Sequence, residues 1–406
     1  MKIPFSPPYI DQDVLNEVED TLKSGWITTG PKVKSLEDEI ARFVSIKNTL
    51  CVNSATSGLY LAMKWFGIGP GDEVIVPAYT YAATALAVFH TGAKPVLVDV
   101  NNDFNIDVES IKKLINHSTK AIIPVDFAGW PCDYDEILSV VTDTHISSLF
   151  TPHNEIQAKL GRILILSDAA HSLGAVYKNK PSGSITDISV FSLHAVKNVT
   201  TAEGGIICLS LPDIFLGEEV IASMRLMSLN GQTKDAYSKN VVGNWRYDII
   251  LPGFKMNMPD ICAAIGLAQI RKYKNQLLPE RKRIAMRYAN RFQMHDWAII
   301  PPLHNIDKET SYHIFALRIR GFSEKMRDLM IEEISKKDVS VNVHFIPLPL
   351  FKYFKDEGYS IDNFPIAYSC YCCEISLPIY PQLSTKMVDY IADVVIDSYC
   401  KIKDRK

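Results

Sequence analysis

The chain has 406 residues, of which 47% are apolar and 22% charged, with a formal net charge of −3. That length exceeds one ordinary core, so two domains, or one large domain with an appendage, are expected. A balance this close to neutral, with no block rich in lysine and arginine, argues against nucleic acid or an anionic membrane as partner. Residues 1–8 lack an apolar stretch of the kind that leads a secreted protein, and the most apolar window, 78–93, is interrupted by Thr80, Thr84, His90 and Thr91. Eight scattered cysteines point to a reducing compartment, and a soluble cytoplasmic protein is the expectation. Cys370 and Cys373 form a CxxC without a second pair or a histidine at zinc spacing, so buried thiols are expected there and no metal site.

Short β-branched runs alternate with longer amphipathic segments from residue 49 onward. Strands are predicted at 49–53, 73–76, 95–98, 120–125, 163–166 and 188–191, and helices at 56–66, 80–90 and 107–116. Such alternation implies an α/β domain with a mostly parallel central sheet flanked by helices. Residues 142–161 are polar and irregular, and read as an inserted surface excursion. After about residue 252 the rhythm changes to a long helix over 259–292, strands near 314–319 and 339–344, and helices at 323–337 and 385–399. The expected division is therefore a large domain, 1–251, and a smaller α+β domain, 252–406.

Ligands on parallel sheets bind beyond the carboxyl ends of the strands, which makes Asn53, Ser54, Asp168 and Ser192 candidates. The most informative run is 188–205, where a buried strand empties into Ser192, His194, Lys197, Thr200, Thr201 and the pair Gly204–Gly205. A lysine in that setting is poorly placed as a solvated charge. Partial burial would lower its pKa and free a nucleophilic amine for a Schiff base with a carbonyl. The stretch Asn53-Ser-Ala-Thr-Ser-Gly58 lies at a strand-to-helix junction, where free backbone N–H groups suit an anion or need only an ordinary N-cap. Gly67-Ile-Gly-Pro-Gly71 follows a helix and precedes a strand, the wrong order for a dinucleotide loop, and reads as a turn. Asp168 could face a protonated ring nitrogen or cap the segment after it. Tyr81 could stack on a flat ligand or pack in the core. Together these residues make up what a pyridoxal phosphate site requires: an anion cradle, an aromatic plate, an acid and a lysine.

With those residues in place, the chain resembles the DegT/DnrJ/StrS family of sugar aminotransferases, which share the fold of aspartate aminotransferase. The motifs run almost end to end: Asn53-Ser-Ala-Thr, Gly69-Pro-Gly-Asp-Glu-Val-Ile, Pro77-Ala-Tyr-Thr-Tyr, Asp168-Ala-Ala-His, Ser192-Leu-His-Ala-Val-Lys-Asn, Glu203-Gly-Gly, Gly253-Phe-Lys-Met-Asn-Met and His344-Phe-Ile-Pro. The resemblance implies a fold-type I enzyme whose cofactor is pyridoxal 5'-phosphate. Lys197 would carry the cofactor, Asp168 would face the pyridine nitrogen, and Tyr81 or His171 would pack on the ring. Ser54, Thr56, Ser57 and Ser192 would hold the phosphate. It further implies a homodimer with the active site at the interface. There a partner asparagine usually reaches the phosphate, and this chain has Lys255 at that position. Trp26, Thr28 and Thr29 of the partner, with His194, Asn342 and His344, fall where the family contacts a sugar nucleotide.

The implied reaction is a transamination in two halves, with L-glutamate as donor and a nucleotide-linked keto sugar as acceptor. The resemblance favours C4 of a UDP-4-keto-6-deoxy-N-acetylhexosamine for glycan biosynthesis, with dTDP-linked 4-keto or 3-keto sugars next. Rival readings each fail on a residue. A sugar dehydrase of this fold has histidine instead of Lys197, a non-catalytic regulator predicts a degraded site, and a dinucleotide-binding module lacks its glycine fingerprint.

Overall fold

The computed structural model describes residues 2–234 and 245–403. In chain order its strands are β1 (Asn48–Val52), β2 (Glu73–Pro77), β3 (Lys94–Val98), β4 (Thr119–Ile122), β5 (Leu164–Asp168), β6 (Val176–Tyr177), β7 (Lys180–Pro181), β8 (Ile188–Ser192) and β9 (Gly205–Leu209). The last four are β10 (Ala298–Ile299), β11 (Lys308–Glu309), β12 (Phe315–Ile319) and β13 (Glu374–Leu377). Seven of them form the main sheet in the order β1-β9-β8-β5-β4-β2-β3. Neighbours from β8 to β3 are parallel, and β9 runs antiparallel to both β8 and β1. The strands are short and buried on both faces, which explains their continuous Val/Ile/Leu character.

Helix Ala55–Phe66 crosses this sheet closely because Gly58 carries no side chain: a Cβ there would lie 2.7 Å from Cγ1 of Val190. Its far end stops at Gly67, whose φ of 79° is a left-handed C-cap, so the glycine-rich 67–71 segment is a turn. Helix Pro31–Phe43 begins without a local capping side chain. Buried Asp260 caps it from a distance, accepting from the backbone N–H groups of Gly30 (2.8 Å), Lys32 (3.1 Å) and Val33 (2.9 Å).

One helical run continues from Asp260–Lys272 through a π segment, Tyr273–Leu277, into Leu278–Phe292. Its first part packs with Val33, Leu36, Ile40 and Phe191 on the main sheet. Its second part, through Ile284, Tyr288 and Phe292, packs on the sheet β10-β12-β13 with helices Glu324–Ser335 and Thr385–Ile402. Burial of each such side chain contributes about 1.5–3 kcal/mol, so the two halves are held by separate cores.

Two expectations need correction. Residues 142–161 are not irregular: helices Thr144–Leu149 and Glu155–Leu160 form there, capped by Asp143 and Asn154. Asn154 Nδ2 and buried Gln157 Nε2 both donate to the Phe66 carbonyl, at 3.1 and 3.0 Å, which docks the excursion on the sheet helix. The predicted strand at 339–344 is reduced to isolated bridges, Ile3 with Val339 and Asn342 with Ser376. Side chains take over its ladder bonds: Val343 N donates to Asn342 Oδ1, and His344 N donates to Glu374 Oε2 at 3.0 Å.

Candidate active site

A cavity of about 400 Å³ opens at the carboxyl ends of β5 and β8. Lys197, Asp168, His171, Ser54, Thr56, Tyr81, Ser192, His194 and His344 all line it. Lys197 lies five residues beyond β8 in a loop pinned on every side. Its N–H donates to the His194 carbonyl at 2.9 Å, Thr201 N donates to Leu193 O at 2.8 Å, and Thr200 N donates to Gln269 Oε1 at 2.9 Å. Burial pushes the ammonium down to about 8, against the opposing pull of the Asp168 carboxylate.

Asp168 ends β5 and is buried. It does not cap a helix. Its Oδ1 accepts from Ala170 N at 3.2 Å, and its Oδ2 accepts from the Thr84 hydroxyl at 2.8 Å. Burial raises its pKa, which Thr84, the Ala170 N–H and Lys197 only partly offset. A cation beside it would hold it ionised, so this wall of the cavity is electrostatically matched to a protonated ring nitrogen.

The first turn of helix Ala55–Phe66 forms a third side. Ser54 is its N-cap, accepting from Ser57 N at 3.1 Å, while Ser57 donates to Asn53 Oδ1 at 2.7 Å. Ser54, Ala55 and Thr56 face the cavity and Ser57 does not. Gly205 lets β9 pass directly under this turn: a Cβ would stand 2.5 Å from Ala55 N. The helix start is thus an exposed set of N–H donors with hydroxyls beside it. Tyr81 precedes helix Ala83–Thr91, is 65% exposed and tilts against Phe345 with centroids 5.9 Å apart.

Three histidines complete the enclosure, one of them, His313, not singled out by the sequence. Burial holds His171 and His313 well below their usual pKa and brings His344 down to about 3, with Lys197 adding to each. All three rings are neutral, and their partners fix where the single hydrogen sits. His171 Nδ1 accepts from Ala128 N at 3.3 Å, which leaves the hydrogen on Nε2. Asn198 Nδ2 donates to Tyr273 Oη (3.0 Å) and Ser311 O (2.8 Å), so its Oδ1 accepts from His313 Nδ1 at 2.9 Å. The His171 and His313 ring centroids are 4.5 Å apart.

The remaining sequence candidates lie elsewhere on the chain. Lys255 is exposed, with its carbonyl accepting from Asn53 Nδ2 at 3.4 Å. Trp26, Thr28 and Thr29 lie against the segment that follows it: Thr29 Oγ1 donates to Met258 O and accepts from Asn257 Nδ2 at 2.6 Å, Thr28 O accepts from Asp260 N at 3.2 Å, and Trp26 Nε1 donates to Thr29 O at 3.2 Å. Asn342 is exposed and pairs with Ser376 through its main chain. Phe345 and His313 line the cavity as unpredicted contributors, and Thr84 supports it from behind through its bond to Asp168. Thr84 had a signal, one helical turn after Thr80, with which it shares a hydroxyl contact of 2.9 Å.

The model of the DegT/DnrJ/EryC1/StrS aminotransferase family matches residues 8–396. The spore coat polysaccharide biosynthesis protein SpsC of Bacillus subtilis is 38% identical, over 97% of this chain and 96% of its own. The UDP-4-amino-4-deoxy-L-arabinose–oxoglutarate aminotransferase of Shewanella sediminis is 33% identical over 97% of each chain. Among solved structures, the pyridoxal phosphate form of Spr1654 from Streptococcus pneumoniae, described as a sugar aminotransferase, superposes with a TM-score of 0.94. It is 42% identical, with coverage of 99% of this chain and 100% of that one. The protein therefore belongs to the DegT/DnrJ/EryC1/StrS aminotransferases. It is a pyridoxal phosphate-dependent sugar aminotransferase with their fold. The cavity fits that cofactor: a helix start for its phosphate, a buried acid that lacks a full countercharge, and a lysine whose amine is partly released from its proton. Among the described residues no helix is long and apolar enough to cross a membrane.

Proposed function

We propose that this enzyme moves the amino group of L-glutamate to C4 of a UDP-linked 4-keto-6-deoxy-N-acetylhexosamine, for polysaccharide or glycan biosynthesis. The observation that carries the reading is the placement of Lys197, Asp168 and the first turn of helix Ala55–Phe66 around one cavity. The name of the Shewanella relative, an aminotransferase of a UDP-linked 4-amino sugar and oxoglutarate, supports the nucleotide and the position. SpsC supports the polysaccharide context.

In this reading Ser54, Thr56 and Ser192, with the helix N–H groups, hold the cofactor phosphate. Bound there, pyridoxal phosphate supplies an aldehyde for the lysine amine and a ring that accepts electrons from the carbon losing its proton. Nζ of Lys197, once free, takes the proton from the amino-bearing carbon of glutamate and delivers it one position away. In the second half it moves a proton in the reverse sense onto the sugar carbon. An amine near pKa 8 suits both directions, since it gains and loses a proton at little cost around neutral pH. Asp168 stays ionised against the ring nitrogen, and His171, with its hydrogen on Nε2, packs beside the ring.

The chain works as a homodimer in this proposal. The patch formed by Trp26, Thr28, Thr29 and Lys255 faces the partner's cavity, where Lys255 adds positive charge to the phosphate contact. Exposed Ile27, Trp245, Tyr247, Ile249 and Ile250 supply apolar surface for the contact. His194 and His344 meet the sugar nucleotide.

The test is incubation with glutamate and a panel of UDP- and dTDP-linked keto sugars, followed by mass and NMR mapping of products. The expected result is a 4-amino UDP sugar formed with equimolar 2-oxoglutarate. Amination confined to dTDP sugars, to C3, or to keto acids would overturn the assignment.

A further inference from the structure

Behind His344, away from the cavity, a buried carboxyl reaches the ring through a single hydroxyl. Glu374 opens β13 and is fully buried. Ser376 Oγ lies 2.5 Å from Glu374 Oε1 and 2.8 Å from His344 Nδ1, and His344 N donates to Glu374 Oε2 at 3.0 Å. The Tyr79 hydroxyl donates to the His344 carbonyl at 2.6 Å, and Phe5 stacks on the ring with centroids 5.5 Å apart, so the imidazole is held from several directions. Among the described residues its Nε2 makes no hydrogen bond, and the residue lines the cavity that holds Lys197.

The hydroxyl of Ser376 has one hydrogen, so the two ends of this chain are not independent. If the Glu374 carboxyl carries a proton, it donates through Oε1 to Ser376, which then donates to His344 Nδ1, and the imidazole hydrogen sits on Nε2. If the carboxyl is ionised, Ser376 donates to it and accepts from Nδ1–H, and Nε2 becomes a bare acceptor. We propose that Glu374 and Ser376 are positioning residues that set the tautomer of His344, and so decide whether the cavity is offered a donor or an acceptor at Nε2. The inference rests on the keto sugar reading only for what the Nε2 atom meets: a donor suits a ketone or phosphate oxygen, an acceptor a sugar hydroxyl.

The surroundings favour the donor near neutral pH. Burial raises the Glu374 carboxyl to about 8, although Ser376, the His344 N–H, Arg327 of helix Glu324–Ser335 and Arg318 of β12 all pull it down. Tyr79 and Cys373 also face it. Burial lifts both above their usual values, so they stay neutral where Glu374 titrates. His344 itself stays neutral throughout, held low by burial and by Lys197, so its tautomer is what responds, not its charge.

Glu374→Gln and Ser376→Ala separate the roles. A glutamine accepts the His344 N–H with its oxygen and donates to Ser376 with its amide, which locks the donor tautomer at every pH. In protein labelled with ¹⁵N-histidine, with His344 assigned through His344→Gln, the wild-type Nε2 signal should move from protonated to bare as pH rises from 6 to 10. In Glu374→Gln it should stay protonated, and in Ser376→Ala it should show a mixture. Lys197 titrates in the same window and contributes to the pH profile of both proteins, so the readout is the difference between them. Above the transition kcat/KM for the keto sugar should fall up to about 10-fold further per pH unit in the wild type than in Glu374→Gln, while Ser376→Ala loses about 10-fold at neutral pH. An Nε2 signal that follows the same pH course in wild type and Glu374→Gln would overturn the proposal, as would an unchanged tautomer in Ser376→Ala. The spectra need no substrate, so their outcome stands apart from the choice of sugar.

Discussion

The two walls of the cavity are built by different rules. One is the edge of the parallel sheet: Asp168 ends β5, Ser192 ends β8, Lys197 follows in the next loop, and the helix after β1 brings Ser54 and Thr56. The other is assembled from loop residues near the second core, with His313 just before β12 and His344 leaning on β13. On the sheet wall each polar group follows its own strand, so chain order and function coincide. On the loop wall each group is set by a partner far away in sequence: His313 by Asn198, His344 by Ser376 and Glu374. In the proposed mechanism the sheet wall carries the bond chemistry, and the loop wall tunes what meets it.

Substitutions on the two walls should differ in kind as well as size. Lys197→Ala should lower kcat by on the order of 10⁴-fold while the chain stays folded, read by single-turnover kinetics and circular dichroism. A much smaller loss would move the proton transfers to another residue. Asp168→Asn should cost about 10³-fold in rate, because a neutral amide cannot hold a ring nitrogen protonated. It should also stabilise the cofactor-free protein at neutral pH, by about 1–3 kcal/mol in denaturant melts. The sign follows from the raised folded-state pKa: Asp168 favours folding at acid pH, and that contribution is lost as pH rises through its folded value. A destabilised Asp168→Asn apoprotein would contradict this burial effect.

Gly205→Ala probes the helix start without touching a polar group. Its Cβ would press on Ala55 N, so about 1–3 kcal/mol of stability should be lost and cofactor dissociation should quicken, followed by absorbance. For the loop wall the probe is its support on the Lys197 loop: Asn198→Ala frees the His313 tautomer and strands buried partners. It should lower kcat/KM by only about 10-fold, yet cost about 1–3 kcal/mol in thermal melts. A loss as large as that for Asp168 would erase the distinction between the walls.

The same asymmetry separates the parts of the molecule that are legible in the sequence from those that are not. Strand-end residues such as Asp168 and Lys197 announce themselves, because a buried apolar run has to end in something polar only where a ligand or a turn uses it. The parallel strands and the helix after β1 are legible to within a few residues. Other elements are not. The apolar run of β9 follows its antiparallel neighbour β8 through the Lys197 loop with no helix between, which breaks the alternation that exposes the other strands. Helices Gln12–Lys23 and Pro31–Phe43 precede that alternation, and the second is capped by Asp260, more than two hundred residues away. His313 and Glu374 carry no local mark at all. Their roles exist only once Asn198 and His344 have been brought to them by the fold.

The central claim is that Lys197 is the residue that engages the cofactor, and borohydride reduction of the yellow holoenzyme followed by peptide mapping tests it most directly. The predicted result is a phosphopyridoxyl group on the peptide containing Lys197 and loss of the visible band. Label on Lys255 or another lysine, or a visible band that borohydride leaves intact, would contradict it.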